Sequence, residues 1–192
     1  MCIRDSLYVS VLLRPEIGLD RMGELAFVCG LALAQGAGRF TDGRELSLKW
    51  PNDLLLDNRK AAGILIETGC DREESPYAVA GFGINVNAPP DGAVGVGVGA
   101  SPSVDLVLEA LLESLSECLI VWARDGFAPV REAWLEKAAG VGRPIRVRTA
   151  QGTMEGVFRT LDPSGALVLD GPGGLVEIVR AGEILMEPSR KP

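Results

Sequence analysis

A long amphipathic segment near the middle of the chain limits the possible folds more than any other feature. Apolar residues recur at helical spacing across residues 104–122, and Gly126 ends the pattern. Ser101 and Pro102 give a start signal, with proline at the first helical position. A second helix is predicted over residues 127–137. Strand-like runs lie on both sides of these helices, which is typical of an α+β domain with a β appendage.

The part of the chain before this segment is rich in predicted strands. They fall at residues 7–13, 46–50, 54–56, 61–67 and 76–87. One helix is predicted among them at residues 19–35, with Asp20 as its cap and the Gly-Ala-Gly run at 36–38 as its end. A loop rich in Gly, Pro and Val is predicted from residue 88 to residue 100.

The part of the chain after Gly140–Gly142 carries only short strand-like runs. These lie at residues 145–148, 153–159, 166–169, 175–179 and 184–186, separated by Gly- and Pro-containing turns. Short strands at such close spacing suggest a small barrel or sandwich. The chain therefore divides into a domain at 1–140 and a small β domain at 141–192.

Composition excludes several classes of function. The 192 residues carry a formal net charge of −7, so general binding to a nucleic-acid backbone is disfavoured. With no histidine and four scattered cysteines, a Cys/His zinc site and a histidine base are not expected. Scattered cysteines are typical of the reducing cytoplasm, and no apolar run reaches membrane-spanning length.

The stretch from Lys49 to Glu67, KWPNDLLLDNRKAAGILIE, concentrates polar groups at the ends of predicted strands. Asn52 and Asp53 follow a proline, where they can face a cleft. Lys60 opens an apolar strand, at the edge of a site where it could hold an anion. Gly63 leaves room for a ligand to lie against the backbone.

Each of these residues has an ordinary structural interpretation when it is taken alone. A lysine at a strand end is usually solvated, and an Asn-Asp pair is usually a turn. Gly81-Phe82-Gly83 is part of a strand pattern with no helix after it, so a dinucleotide-binding fold is not predicted.

Taken together, the residues resemble the central signature of biotin–protein ligases. GFGINVN follows KWPNDLLLDNRKAAGILIE at about the spacing of that family's two central motifs. LYVSVLLRP upstream, and DGFAPVREAWLEK, RPIRV and GALVLD downstream, are also similar to family segments. The resemblance covers residues 7–187. It implies a mixed sheet with helices, related to class II tRNA synthetases, followed by a small C-terminal β-barrel.

The resemblance also implies a two-step reaction. Biotin's carboxylate attacks the α-phosphate of ATP to give biotinyl-adenylate and pyrophosphate, and a lysine of a biotin carboxyl carrier protein then attacks the adenylate. The first step brings two anions together, so the site needs cations and Mg²⁺ more than a base. Homodimerisation is also allowed by the resemblance.

Site residues are carried over by their positions in the motifs. Lys60 matches the lysine that touches the biotin carboxylate and the α-phosphate, and Lys49 matches the lysine that supports the phosphates or the acceptor amine. Asp53 is expected to orient and deprotonate the acceptor lysine. The remaining matches concern binding: Asn52 for the adenylate, Gly63 and Ile64 for the biotin pocket, and Asn85 near the triphosphate and Mg²⁺.

One family feature is missing. A glycine/arginine-rich loop that folds over biotin is expected just before the first strand, but the first six residues, MCIRDS, lack that pattern. The activity is therefore assigned to the parent protein, and this chain alone is expected to bind the adenylate weakly and turn over poorly.

Three alternatives remain open from the sequence. A lipoate or octanoate ligase would share the fold, although the KWPND and GIL spacing favours biotin. A biotin-sensing transcriptional regulator would carry an additional helix-turn-helix segment. The third alternative is an α+β domain with a barrel that only binds a partner.

Overall fold

The computed structural model describes residues 6–87, 89–97 and 101–185. Residues 1–5, part of the loop predicted at 88–100, and residue 186 at the end of the last predicted strand lie outside this set. The elements in chain order are β1 (Ser6–Leu13), α1 (Glu24–Gly38), β2 (Leu46–Lys49), β3 (Asp53–Leu56), β4 (Arg59–Cys70), β5 (Pro76–Asn85), α2 (Val104–Asp125), α3 (Phe127–Glu136), β6 (Pro144–Thr149), β7 (Gly152–Leu161), β8 (Leu167–Asp170), β9 (Val176–Val179) and β10 (Glu183–Leu185).

The first sheet has five strands in the order β1-β5-β4-β3-β2, and each neighbouring pair is antiparallel. Alternate residues of β5 are buried, namely Ala78, Ala80, Phe82 and Ile84. This period of two places one face of the sheet against the helices and leaves the other face open. The predicted α+β class is confirmed, but the sheet is antiparallel rather than mixed in the described residues.

The helices pack in a layer on the buried face of this sheet. α1 is apolar around most of its circumference because it lies between the sheet and α2. Gly36 allows this close packing, since a Cβ there would lie 2.9 Å from the carbonyl oxygen of Ala110. Gly126, with φ of 79°, joins α2 to α3.

Two helix starts differ from the sequence prediction. α2 begins at Val104, where the Ser103 hydroxyl accepts a hydrogen bond from the backbone N–H of Leu106, so Pro102 precedes the cap. The helix predicted from residue 19 is divided into a short 3₁₀ turn at Leu19–Arg21 and α1. Asp20 lies inside that turn and does not cap α1, so that prediction was wrong.

The second sheet contains the five remaining strands in the order β10-β6-β7-β8-β9, again antiparallel. No pairing joins β9 to β10 in the part of the chain that the structure describes, so the strands form an open sheet there and the expected closure into a barrel is not seen. The division predicted at residue 140 falls in the turn between α3 and β6.

The turn between β7 and β8 packs the second sheet against the first unit, which consists of the first sheet and the helices α1 to α3. The carbonyl oxygen of Gly165 accepts a hydrogen bond of 3.2 Å from the indole N–H of buried Trp50. A Cβ on Gly165 would lie 2.4 Å from the ring of Phe27, so only glycine fits this approach. Trp50 directly follows Lys49, and the second sheet therefore supports the segment that carries the predicted site. No helix within the described ranges is long and apolar enough to cross a membrane.

Candidate active site

The open face of the first sheet carries a row of residues that crosses all five strands. The register pairs Lys49 with Asp53, Asp53 with Gly63, Gly63 with Gly83, and Gly83 with Tyr8. Directly paired residues project from the same face of a sheet. The row therefore places two charged side chains at one end, an aromatic ring at the other, and two glycines between them.

Asp53 lies between two lysine ammonium groups at the charged end of this row. Its Oδ1 atom is 2.5 Å from Nζ of Lys60, and its Oδ2 atom is 3.2 Å from Nζ of Lys49. The side chains of Asp53 and Lys49 are only 10% and 9% exposed, whereas that of Lys60 is 56% exposed. Lys49 and Asp53 thus form a shielded pair, and Lys60 is the cation that can turn towards a ligand.

A β-bulge brings Lys60 to this face. Leu54 pairs with Ala62, but the next pair is Leu55 with Lys60, which leaves Ala61 as an extra residue. Without the bulge, Lys60 would project from the face opposite to Gly63, because the two residues are three positions apart. The extra residue reverses that orientation and places the ammonium group beside Asp53.

The second sheet contributes a carboxylate that the sequence did not predict. Glu183, the first residue of β10, has its Oε1 atom 3.6 Å from Nζ of Lys49, and its Oε2 atom accepts a 2.5 Å hydrogen bond from Arg148. The pKa of Glu183 is lowered, chiefly by the hydrogen bond from Arg148; burial opposes this lowering, and the charges of Lys49 and Arg148 add to it. It was missed because Glu183 lies more than a hundred residues from the motif.

Asn52 and Ile64 form a bridge between the turn before β3 and the strand β4. The amide nitrogen of Asn52 donates a 2.7 Å hydrogen bond to the carbonyl oxygen of Ile64, and the backbone N–H of Ile64 returns one to Asn52. The amide nitrogen of Asn52 therefore already donates to the backbone, whereas its amide oxygen accepts no hydrogen bond within the described residues. The side chain of Ile64 is buried in the core, so this residue offers only its backbone to the cleft.

Gly63 lies directly beneath the Asp53–Lys60 pair. A Cβ there would stand 3.3 Å from both Oδ1 of Asp53 and Nζ of Lys60. Asn85 lies at the end of β5, and its amide group is at 3.5 Å from the carbonyl oxygen of Lys60. It lies near the base of Lys60 but outside the residues that line the cleft.

These groups open into a cleft of about 540 Å³. Its floor is the glycine-rich centre of the sheet, and its lining includes Gly81 of the GFGINVN motif together with Tyr8, Ser10 and Leu65, which the sequence did not single out. Their signal was present, because they occupy the alternate positions of β1, β4 and β5 that face away from the core. A larger cavity of about 830 Å³ lies in the second sheet and contains none of the predicted site residues.

The donors of the cleft suit anions better than a resident metal ion. Within residues 6–87, 89–97 and 101–185, no group of three or more His, Cys, Asp or Glu side chains is placed to hold a metal. Asp53 already compensates Lys49 and Lys60. A flat, apolar floor with a lysine at its rim can hold a planar ligand that ends in a carboxylate or a phosphate.

Comparison with known proteins identifies two family regions. The Biotin/lipoate A/B protein ligase family matches residues 4–85, and the Biotin protein ligase C terminal domain matches residues 140–186. The biotin–[acetyl-CoA-carboxylase] ligase of Paracoccus denitrificans is 36% identical over 91% of this chain and 78% of that protein. The bifunctional ligase/repressor BirA of Bacillus subtilis is 29% identical over 92% of this chain, which spans 57% of its length.

The fold is also similar to solved structures. The biotin protein ligase of Aquifex aeolicus in complex with biotin and ATP superposes with a TM-score of 0.77, at 23% identity, over 94% of this chain and 78% of that one. The α+β unit and the second sheet both fall within this similarity.

Proposed function

The chain belongs to the biotin protein ligase family, and from this premise we propose that it activates biotin with ATP and transfers it to a lysine of a biotin carboxyl carrier protein. The observation that carries the proposal is Asp53, held between Lys49 and Lys60 at the edge of a glycine-floored cleft. This arrangement supplies cations for an anionic ligand and a carboxylate for an incoming amine.

In the first step, a biotin carboxylate oxygen forms a bond to the α-phosphorus of ATP, and the bond to pyrophosphate breaks. Both reactants are anions, and stabilisation of the charge that develops in the transition state lowers the barrier. Lys60 is the exposed cation at the rim, and we assign it to the carboxylate and the α-phosphate. Lys49 is shielded, so it acts mainly by holding Asp53 and adding positive potential. Gly63 leaves space for the ligand beneath Lys60.

Mg²⁺ would enter with the ATP phosphates, because it keeps several waters and binds substrate phosphates more readily than all-protein cages. The amide oxygen of Asn85 is the donor that we assign near it, and the oxygen of Asn52 is assigned to the adenylate. Both assignments follow from the family motif.

In the second step, the acceptor amine forms an amide bond to the biotinyl carbon, and the bond to AMP breaks. When Lys60 turns to the anionic ligand, Oδ1 of Asp53 loses its 2.5 Å partner. That oxygen can then accept a hydrogen bond from the acceptor amine and receive its proton, while Lys49 remains on the other oxygen. We place this reaction in the cytoplasm.

A single-turnover assay tests the proposal. The chain, in excess, is mixed with ATP, Mg²⁺, labelled biotin and a carrier domain, and both pyrophosphate release and protein-bound label are measured. We expect label on the carrier, and none on a carrier whose acceptor lysine is replaced by arginine.

Parallel reactions with lipoate and octanoate test the lipoyl-ligase alternative, which the Biotin/lipoate family match keeps open. Preferential transfer of either acid would replace biotin as the substrate. Absence of pyrophosphate release with all three acids would rule out the activation step.

A further inference from the structure

A chain of alternating charges runs from the second sheet into the cleft. It begins at Arg148, whose Nη2 atom lies 2.5 Å from Oε2 of Glu183, and continues through Lys49 and Asp53 to Lys60. Three cations and two carboxylates therefore share one network. The cations at its two ends, Arg148 and Lys60, are exposed, whereas the pair of Lys49 and Asp53 is shielded.

The backbone holds the first link of this network in place. Arg148 of β6 and Glu183 of β10 are direct cross-strand partners, so their side chains project from the same face at neighbouring positions. One carboxylate oxygen of Glu183 is occupied by Arg148, which leaves the other for Lys49 at 3.6 Å. Arg148 itself is 64% exposed and is not among the residues that line the cleft.

We propose that Arg148 is a positioning residue for the ligation, acting on Lys49 through Glu183. The inference rests on the proposed function of the site. Arg148 competes with Lys49 for the Glu183 carboxylate and so limits the pull of that carboxylate on the lysine. Lys49 thereby stays closer to Asp53, at 3.2 Å, than to Glu183.

Neutralising Arg148 removes the group that competes with Lys49 for the Glu183 carboxylate. Lys49 is then the nearest cation to Glu183, which holds the Lys49 side chain more firmly and draws it away from Asp53. The amine of Lys49 should react more slowly with an acylating reagent at fixed pH, by about two- to fivefold, which is the range expected for exposed ion pairs. The apparent KM for ATP should rise by a similar factor, with the KM for biotin unchanged.

The structure offers a matched control on the same strand. Arg146 lies two residues from Arg148 on β6 and forms an exposed pair of the same kind with Glu155, at 3.0 Å, but it forms no ion pair with Glu183 or Lys49, both of which lie in the described part of the chain. Arg148→Met and Arg146→Met each remove one arginine charge from one exposed ion pair. Only Arg148→Met should slow the labelling of Lys49 and raise the KM for ATP, and Arg148→Lys should recover most of both effects.

The decisive experiment is peptide-resolved acylation of Lys49 in the unchanged chain, in Arg148→Met and Arg146→Met, and in each combined with Glu183→Gln. Because Arg148 acts through Glu183, Arg148→Met should have no further effect once Glu183 is neutral. The inference would be overturned if both arginine variants changed the Lys49 labelling rate equally, or if neither changed it. It would also be overturned if the effect of Arg148→Met persisted with Gln at position 183. Labelling needs no catalytic turnover, so it tests the influence of Arg148 on Lys49 even if the unchanged chain transfers no biotin. In that case only the proposed function fails.

Discussion

Lys60 and Asp53 belong to the same ion pair, but their different burial separates their contributions to stability and to activity. Lys60 is more than half exposed, and its pair with Asp53 is partly screened by water. Asp53 is shielded and compensates two cations at once. Substitutions at the two positions should therefore have different consequences.

Replacing Lys60 with methionine should reduce adenylate formation with little loss of stability. Removing one preorganised charge from a phosphoryl centre typically lowers the rate on the order of 10²- to 10³-fold. The lost exposed pair should cost less than about 1 kcal/mol of unfolding free energy. Pyrophosphate release and urea unfolding measure the two effects. Lys137→Met, at an exposed position outside the cleft, is the control, and a comparable rate loss there would argue against a role for Lys60.

Replacing Asp53 with asparagine should destabilise the chain more. Among the residues that the structure describes, it leaves Glu183 as the one carboxylate partner of the shielded Lys49 ammonium group, and breaking a buried pair on one side costs about 3 kcal/mol. Chemical unfolding measures this cost. Asp57→Asn removes a carboxylate from the exposed pair with Arg44 and should cost well under half as much. Equal destabilisation by the two variants would show that the Lys49–Asp53 pair is not effectively shielded.

At the scale of single elements, the turn between β7 and β8 depends on one carboxylate. Oδ1 of Asp162 accepts hydrogen bonds from the backbone N–H groups of Ser164 and Ala166 and from the Ser164 hydroxyl. Burial alone would raise the pKa of Asp162, but these hydrogen bonds and the charge of Arg180 outweigh it and lower the pKa. The same turn presents Gly165 to Trp50.

The lowered pKa gives Asp162→Asn a pH-dependent effect. A group with a lowered folded pKa adds stability above its unfolded pKa, about 3.9 for aspartate, and loses that stability as the pH falls through the folded value. The variant should therefore be less stable than the unchanged chain at pH 7, by about 0.5–1 kcal/mol for hydrogen bonds in a mostly exposed turn. The difference should shrink as the pH falls below about 4. Denaturant unfolding across this range measures it, and a pH-independent difference would exclude the charge as its origin.

Local patterns predicted the elements better than they predicted how those elements meet. The stripe over residues 104–122 predicted α2, and alternation along residues 76–87 predicted β5, because both signals arise from one buried face. The motif around residues 49–67 predicted that Lys49, Asp53 and Lys60 share a site, and the structure brings them together. The start of α1 was missed because a 3₁₀ turn interrupts the apolar pattern there.

Other features of the site depend on long-range pairing. The extra residue at Ala61 arises from the register between β3 and β4, which no pattern within β4 encodes. Glu183 reaches Lys49 only because the two sheets pack together. The antiparallel arrangement of the first sheet depends on which strands pair, and patterns within single strands do not encode that pairing. Ile64 was matched to the biotin pocket by its position in the family motif; its side chain lies in the core, and the residue lines the cleft through its backbone.

For the whole molecule, the contacts between the two sheets imply a single cooperative unit. The indole N–H of Trp50 donates a hydrogen bond to the carbonyl oxygen of Gly165, and Lys49 faces Glu183. Both contacts involve the end of β2 and the residue that follows it, which is the segment that opens the site motif. Loss of docking should therefore affect the site as well as the stability of the second sheet.

Gly165→Ala should uncouple the two units. Its Cβ would lie 2.4 Å from the ring of Phe27, and φ at Gly165 is 86°, so the turn must withdraw from Trp50. Gly173→Ala has the same backbone strain, with φ of 73° and no atom within 4 Å of the added Cβ, and it should cost only about 1–2 kcal/mol. Calorimetry should show one transition for the unchanged chain and for Gly173→Ala, but a broadened or divided transition for Gly165→Ala. Tryptophan near-ultraviolet dichroism then reports the first unit, because Trp50, Trp122 and Trp134 all lie there. A single sharp transition for Gly165→Ala, lowered no more than that of Gly173→Ala, would show that the turn does not couple the sheets.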